Sequence, residues 1–169
     1  MASKLLAFRL FWLGALFLFS CFAKADTPRF ENYKVDEIFQ GEHHDVVVGD
    51  ENKSWAEGRK NAIKRPVNFA GHYVVYANGC GGGAICGEVL DVKTGEVVTS
   101  FPNAYYIVGS DGTAPYAAVY KPNSKLLVIM GVAADPEVDV NGNDLEEGNR
   151  QRFYEFDGKA LHLIDLVDQ

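Results

Sequence analysis

Two stretches of the chain repeat one order of extended segments and turns, and this pseudo-repeat restricts the possible folds. The first unit has β-branched and aromatic runs at residues 72–76, 88–92 and 96–100, with a Lys-Thr-Gly turn before the last run. The second unit has comparable runs, with an Asp-Gly-Lys turn before its last run, at residues 117–120, 125–130, 152–156 and 160–164. Two such units are too few to close a propeller. We therefore expect a mainly β protein in which two antiparallel, blade-like sheets form a sandwich or a partly open barrel.

One N-terminal amphipathic helix is expected ahead of the first strand. Ser54-Trp55-Ala56-Glu57 has the pattern of a capping box, which begins a helix at this point. Trp55, Ala62 and Ile63 recur with helical spacing and form one apolar stripe. Pro66 ends the helix, since proline cannot continue the backbone hydrogen bonds. The helix should dock on the sheets through Trp55.

The first 25 residues have the pattern of an export signal. Lys4 and Arg9 precede the apolar run 10–19, and Ala23-Lys24-Ala25 supplies a small-x-small cleavage site. We expect a signal peptide at 1–25 and a single β-rich domain at 26–169, exported to the periplasm of a Gram-negative bacterium. The apolar run is short for a membrane span, and no second run of sufficient length follows it. A lipid anchor at Cys21 is the alternative processing route, although Phe19 fits a lipobox poorly.

The cysteine count predicts one disulfide bond. Either processing route leaves Cys80 and Cys86 as the cysteines of the folded domain. Two cysteines in an oxidising compartment normally pair, and free thiols are the less frequent outcome.

The charge of the chain is acidic. Removal of residues 1–25 takes away three basic and no acidic residues, which leaves 13 Lys and Arg against 23 Asp and Glu, a formal net charge of −10. This balance argues against nucleic acid or anionic lipid as a partner and favours a cationic envelope or secreted protein. Solubility is the more ordinary explanation for an acidic surface.

The glycine-rich segment 78–87 is the first candidate binding loop. Its glycines allow positive φ angles, and its amides could form an anion-binding nest. Residues 79–84 match the letters of a dinucleotide fingerprint, but a strand rather than a helix follows, so we expect no cofactor here. A disulfide loop that merely needs glycines to turn is the simpler interpretation. The candidate binding residues are Asn78, Gly79, Gly81, Gly82 and Gly83.

A second candidate loop is rich in oxygen-bearing side chains that could bind a hard cation. Its members are Asp135, Glu137, Asp139, Asn141, Asn143, Asp144 and Glu146. The loop is not an EF-hand, because Asp144 replaces the required glycine and Arg150 stands where the bidentate glutamate belongs. We expect a solvated polar loop with binding candidates Asp139, Asn141 and Asp144. Calcium held by Asp139, Asn141 and Asn143 is the alternative, and otherwise no cofactor is expected.

The histidines offer one weak catalytic candidate. His43 and His44 are adjacent, so in a strand they would point to opposite faces and would not bind zinc together. His72 opens the strand that leads to Cys80 and could form a dyad with a reduced thiol. Formation of the disulfide would remove that nucleophile, and a structural His72 is then the better interpretation.

Several motifs together resemble an uncharacterised family of secreted proteobacterial proteins. The residues that carry the resemblance are Asn68-Phe69-Ala70-Gly71-His72-Tyr73, then Asn78-Gly79-Cys80-Gly81 with a second cysteine, and then Asp91-Val92-Lys93-Thr94-Gly95. The segments 123–128 and 154–158 are also similar to the closing strands of that family. This chain differs in its wider cysteine spacing and in Asn78, where an aromatic residue is common. The resemblance implies export, a disulfide and a β fold, and it implies no activity.

The sequence leaves three classes of function open. The first is a periplasmic binding or inhibitor protein, such as an immunity factor against a cell-wall-directed toxin, with the two loops as its contact surface. The second is a small envelope hydrolase or metal-dependent envelope-modifying enzyme that uses His72 with a carboxylate or metal from the second loop. The third is a structural envelope protein, which would lack a concave pocket.

Overall fold

A computed structural model describes residues 26–47, 55–109 and 112–169. The predicted signal peptide with Cys21, and Ser54 of the capping box, lie outside the described residues. Within those residues, no helix is long and apolar enough to cross a membrane.

The described elements comprise two short helices and ten strands. They are a 3-10 helix (Phe30–Tyr33), α1 (Ala56–Ala62), β1 (Tyr73–Gly81), β2 (Ala84–Asp91), β3 (Val97–Ser100), β4 (Tyr105–Tyr106), β5 (Ala117–Tyr120), β6 (Leu126–Val132), β7 (Glu137–Val138), β8 (Asp144–Leu145), β9 (Asn149–Phe156) and β10 (Leu161–Asp168).

The strands confirm the predicted class of fold, and each half of the pseudo-repeat builds one antiparallel sheet. Sheet 1 has the order β1-β2-β3, with β4 also paired to β2, and sheet 2 has the order β10-β9-β6-β5. The short strands β7 and β8 form a separate hairpin. Among the described strands, neither four-stranded sheet closes into a barrel.

The main core lies between the two sheets. Alternate residues of β1 and β2, including Tyr73, Val75 and Val89, share one buried cluster with Leu127 and Phe156 of sheet 2. This is the face-to-face packing of a sandwich, in which every second side chain of a strand points inward. An isolated bridge between residues 105 and 133 joins the sheets at one corner.

The outer face of each sheet is packed against residues from outside the sheets. Val74, Tyr76 and Leu90 of sheet 1 pack with Ala62 and Ile63 at the end of α1. The opposite face of sheet 2 is covered by residues of the N-terminal segment, among them Phe30 and Tyr33. Because central strands are buried on both faces, they read as continuous apolar runs rather than as alternating ones.

The helix matches the predicted stripe but is shorter than predicted. It ends at Ala62, and a turn leads from there to Pro66. Trp55 stands just before it, with its ring 5.8 Å from the ring of Tyr76 in an edge-on arrangement. Arg59, in the middle of the helix, is also buried, which the apolar stripe did not predict.

Candidate functional site

The glycine-rich segment is a continuation of the first hairpin rather than a loop. Strands β1 and β2 pair up to Gly81 and Ala84, so only Gly82 and Gly83 form the turn. Both turn residues have positive φ angles, +59° and +76°, which favour glycine and suit a tight two-residue hairpin. The sequence therefore identified the turn residues but underestimated the length of the strands.

The predicted disulfide between Cys80 and Cys86 is confirmed. The ladder shifts register between Gly79 and Gly81, so that Cys80 stands at an irregularity of β1 and bonds across to β2. The two Cα atoms are 5.7 Å apart, within the usual range for a disulfide. The bond fixes the end of a hairpin whose four glycines have no side chains with which to pack.

An open cavity of about 710 Å³ lies beside this hairpin end, and we call it the disulfide groove. Its walls come from the start of α1, from the β1–β2 hairpin and from the segments before and after β4. The lining residues that bear on its chemistry are Trp55, Cys80, Cys86, Glu88, Tyr106 and Asp135. The volume falls in the range of small-ligand sites, about 300–1,000 Å³.

A buried charge pair forms part of the groove wall. Arg59 donates from Nε to Glu88 Oε2 at 2.8 Å and from Nη2 to Glu88 Oε1 at 2.5 Å. The Tyr76 hydroxyl donates to Glu88 Oε2 at 2.5 Å. The side chains of Arg59 and Glu88 are only 4% and 8% exposed. A bidentate arginine is the geometry that best compensates a buried carboxylate.

The same contacts govern the protonation of the partners of Glu88. The hydrogen bonds to Glu88 raise the pKa of Arg59 despite the opposing effect of burial. Burial raises the pKa of Tyr76, and the neighbouring Glu88 carboxylate raises it further. Tyr76 therefore stays protonated and remains a hydrogen-bond donor to Glu88 across the physiological pH range.

Phe101 supplies an apolar part of the groove through close packing on Gly87. A Cβ atom at Gly87 would overlap the Phe101 ring, so this position has no room for a side chain. The Phe101 amide also donates to the Gly87 carbonyl at 2.8 Å. Glycine at this point of β2 therefore lets the ring pack directly against the strand backbone.

Asp135 stands where the groove meets the acidic loop. Its Oδ2 accepts a hydrogen bond from the Ala104 amide at 2.8 Å. The neighbouring Pro136 carbonyl accepts one from Asn103 Nδ2 at 3.3 Å. These contacts hold the carboxylate against the segment that lines the groove.

The next carboxylate of the acidic loop, Glu137, is turned inward. Arg152 binds it with two donors, Nε to Oε1 and Nη2 to Oε2, the latter at 2.8 Å. Arg150 Nη1 adds a contact to Oε2 at 3.2 Å. Both arginines are buried. Glu137 is therefore an anchor of the β7–β8 hairpin and not the free cation ligand that the sequence suggested.

Asp139 closes the tip of the same hairpin. Its Oδ1 accepts from the amides of Asn141 and Asn143 at 2.8 and 2.9 Å, and its Oδ2 accepts from Asn143 Nδ2 at 2.9 Å. These hydrogen bonds, chiefly those from Asn143, lower the pKa of Asp139. Within the described residues there is no group of three or more His, Cys, Asp or Glu side chains that could hold a metal ion. The described contacts of Asp139 close the turn at the tip of the hairpin.

His72 lies at the opposite end of the first hairpin from Cys80. The eight residue-to-residue steps from His72 to Cys80 span about 26 Å in an extended strand, and the Cys80 sulfur is committed to the disulfide. The dyad, which the sequence offered only as the less favoured alternative, is therefore excluded while Cys80 is in the disulfide. His72 instead stacks on Tyr73, with ring centroids 4.1 Å apart, and its Nε2 lies 3.8 Å from Asp91 Oδ2. Burial lowers the pKa of His72, with Asp91 opposing that effect.

The structure brings together only part of the predicted binding surface. Cys80, Gly81, Gly82 and Cys86 line the disulfide groove, whereas Asn78, Gly79 and Gly83 do not. Asp139, Asn141 and Asp144 lie outside it, and Asp135 is the member of the acidic loop that reaches it. His72 lines a different cavity, of about 280 Å³, that contains neither Asp139 nor Asp144.

Sequence reasoning missed the lining residues Glu88, Phe101 and Tyr106, and also Arg59, which binds Glu88. The one available signal was Glu88, a carboxylate directly before the apolar run 89–90 of a predicted strand. A charge in such a place is a candidate for a buried pair, because an unpaired charge would be costly there.

No family model, curated protein or solved structure matches this chain. The function proposed below therefore rests on the chemistry of its own residues.

Proposed function

We propose that the mature chain is a periplasmic binding or inhibitor protein that captures a cationic envelope or secreted protein. An immunity factor against a cell-wall-directed toxin is one protein of this class. The contact surface is the disulfide groove together with the acidic loop beside it. The observation that carries this proposal is a constrained groove whose charged lining residues, within the part of the chain that the structure describes, are the two carboxylates Glu88 and Asp135.

The rigidity of the groove supports a binding role. The disulfide holds one side of it, and the Arg59–Glu88 pair connects α1 to β2 on another. A preformed surface loses little conformational entropy when a partner binds, so more of the interaction energy appears as affinity.

The net negative charge of the chain also favours a basic partner. A formal charge of −10 on residues 26–169 attracts a basic partner over distances longer than direct contact. The local carboxylates then determine where that partner docks, since complementary charges fix the register of an interface. Binding of this kind should weaken as salt is added.

The other two classes of function receive less support. An envelope hydrolase built on His72 lacks the proposed carboxylates, because Asp139 and Asp144 are not in the cavity that His72 lines. A purely structural envelope protein has no need of a preformed groove with buried charge in its wall.

The test is affinity capture from periplasmic extract, followed by mass spectrometry. The bait is tagged 26–169 in three forms: unchanged, Asp135→Lys in the groove, and Glu96→Lys as a matched charge reversal. Glu96 is exposed at the β2–β3 turn, away from the groove. One dominant basic partner, retained by Glu96→Lys and lost with Asp135→Lys, is the expected result. Absence of a basic partner at low salt, or equal capture by all three baits, would overturn the proposal.

A further inference from the structure

We infer that the disulfide groove binds the guanidinium group of an arginine side chain on the partner protein, between Glu88 and Asp135 and against aromatic rings. This inference rests on the proposed function and names the chemical group that is recognised.

Among the described residues, the charged side chains that line the groove are carboxylates. Glu88 and Asp135 both line the cavity. Arg59 lies behind Glu88, with a side chain that is 4% exposed and is already bound to both carboxylate oxygens. It holds the Glu88 carboxylate in a fixed orientation and is not itself among the residues that line the cavity. The groove therefore suits a cation.

The carboxylates have acceptor positions to spare. A carboxylate offers about four lone-pair sites, and the described contacts of Glu88 use two on Oε2 and one on Oε1. The described contacts of Asp135 use one, from the Ala104 amide. A guanidinium group carries five N–H donors in a fixed plane and can bond to more than one acceptor at once.

Aromatic rings make guanidinium a better ligand than ammonium. Trp55 and Tyr106 are half-buried in the groove wall, and Phe101 is buried there. Trp55 packs edge-on against Tyr76, whose hydroxyl is bonded to Glu88, and Trp55 and Glu88 both line the groove. A planar guanidinium can stack on an aromatic face while its edge bonds to carboxylates, which lysine cannot do.

The groove contains its own spectroscopic probe. The chain has two tryptophans, Trp12 and Trp55, and the first belongs to the predicted signal peptide. The fluorescence of residues 26–169 therefore reports on Trp55 alone. We would titrate this protein with three blocked tripeptides, Gly-Arg-Gly, Gly-Lys-Gly and Gly-citrulline-Gly, and with free L-arginine. Citrulline has the shape of arginine without its charge.

The arginine peptide should give a saturable change, the lysine peptide a weaker one and the citrulline peptide none. Asp135→Asn should weaken binding about fivefold, as expected for the loss of one partly exposed ion pair. Asp36→Asn, the same change at an exposed residue outside both the groove and the acidic loop, should leave the titration unchanged. Glu88→Gln is a poor test, because it would leave Arg59 buried beside a neutral partner.

Equal responses to arginine and citrulline, no response, or no effect of Asp135→Asn would overturn the inference. Tighter binding of free L-arginine than of the peptide would also overturn it, since the groove would then be a small-molecule site. Capture of a basic partner with a silent titration would refute the inference and leave the proposed function standing. A clear arginine response without any captured partner would support guanidinium binding in the groove and would refute the proposed function.

Discussion

The glycine hairpin and the acidic loop, which lines the disulfide groove through Asp135, are held in place by different chemistry. The glycine hairpin, residues 78–87, has almost no side chains at its tip and is held by the Cys80–Cys86 bond. The acidic loop, residues 135–148, is held by the contacts of Glu137 with two buried arginines and by the hydrogen bonds of Asp139. One is a covalent constraint, and the other is electrostatic.

This difference teaches which conditions each hairpin withstands. A disulfide is insensitive to salt and to the protonation of carboxylates, but a reductant can break it. Buried ion pairs tolerate reductants, yet removal of one partner leaves an uncompensated charge in the protein. Each hairpin can therefore be loosened separately, and the effect on the groove can be measured.

The largest effect is expected from Arg152→Met, in the acidic loop's anchor. Arg152 is 0% exposed and binds both oxygens of Glu137. Its loss should lower the free energy of unfolding by about 3–5 kcal/mol, because a buried carboxylate loses its main partner. Urea denaturation followed by circular dichroism measures this change.

The same substitution at Arg29 is the matched control. Its contact with Asp26 is exposed and 4.0 Å long, so Arg29→Met should change stability by less than about 0.5 kcal/mol. Adding Glu137→Leu to Arg152→Met should recover part of the loss. Equal effects of the two arginine substitutions would show that the buried pair does not anchor the hairpin.

Removal of the disulfide from the glycine hairpin should lower the free energy of unfolding by less than Arg152→Met does. Cys80→Ser combined with Cys86→Ser should lower the free energy of unfolding by about 2 kcal/mol, since the bond closes a small loop. Dithiothreitol should bring the unmodified protein to the same value and leave the double variant unchanged. A loss as large as that of Arg152→Met would contradict the idea that this bond acts locally.

Disruption of the packing of Phe101 on Gly87 is expected to lower the free energy of unfolding by less than loss of the disulfide does. Gly87→Ala should cost about 1.5 kcal/mol, because the ring must move away from the strand. Gly79→Ala is the control in the same hairpin, where a Cβ meets nothing within 4 Å, and it should cost less than about 0.5 kcal/mol. Urea denaturation gives both values, and the fluorescence of Trp55 reports any change in the structure of the groove. Similar costs for the two variants would argue against close packing at Gly87.

The smallest effect is a local response of the acidic loop to acid. The pKa of Asp139 lies below its ordinary value of 3.8 because Asn143 and the backbone hydrogen-bond to the carboxylate. The stabilisation that these bonds give is therefore complete above about pH 3.8 and is lost as the pH falls through the lower, folded-state pKa.

The amide signals of Asn141 and Asn143 should shift in that acidic range in NMR spectra. The amides of Gly81 and Gly82, at the disulfide-bonded tip, should not follow the same transition. Asp139→Ala should abolish the shift. A transition shared by both hairpins would mean that they unfold together and are not independently constrained.

Much of the fold could be predicted from local patterns. Runs of β-branched residues and glycine turns predicted the two antiparallel sheets, and cysteine counting in a chain expected to be exported predicted the disulfide. The strand ends were missed in the glycine-rich segment, because β1 continues to Gly81 despite its low intrinsic preference for strand. Pairing with β2 and the disulfide override that preference.

The candidate groove could be predicted only in part. The disulfide and the flanking glycines were found, but the wall residues were not. Arg59 and Glu88 are 29 positions apart and lie on a helix and a strand. The spacing rules for side-chain pairs within one helix do not apply to them. The same is true of Glu137 and Arg152, which are 15 positions apart.

The sequence by itself determined where strands and turns form, which cysteines pair and the sign of the net charge, because these depend on neighbouring residues and on composition. Only the tertiary structure decided which carboxylates are buried, which line the groove and which close a turn. Those outcomes depend on the partner that each side chain meets after the sheets have packed, and desolvation makes a charge acceptable only where such a partner is present.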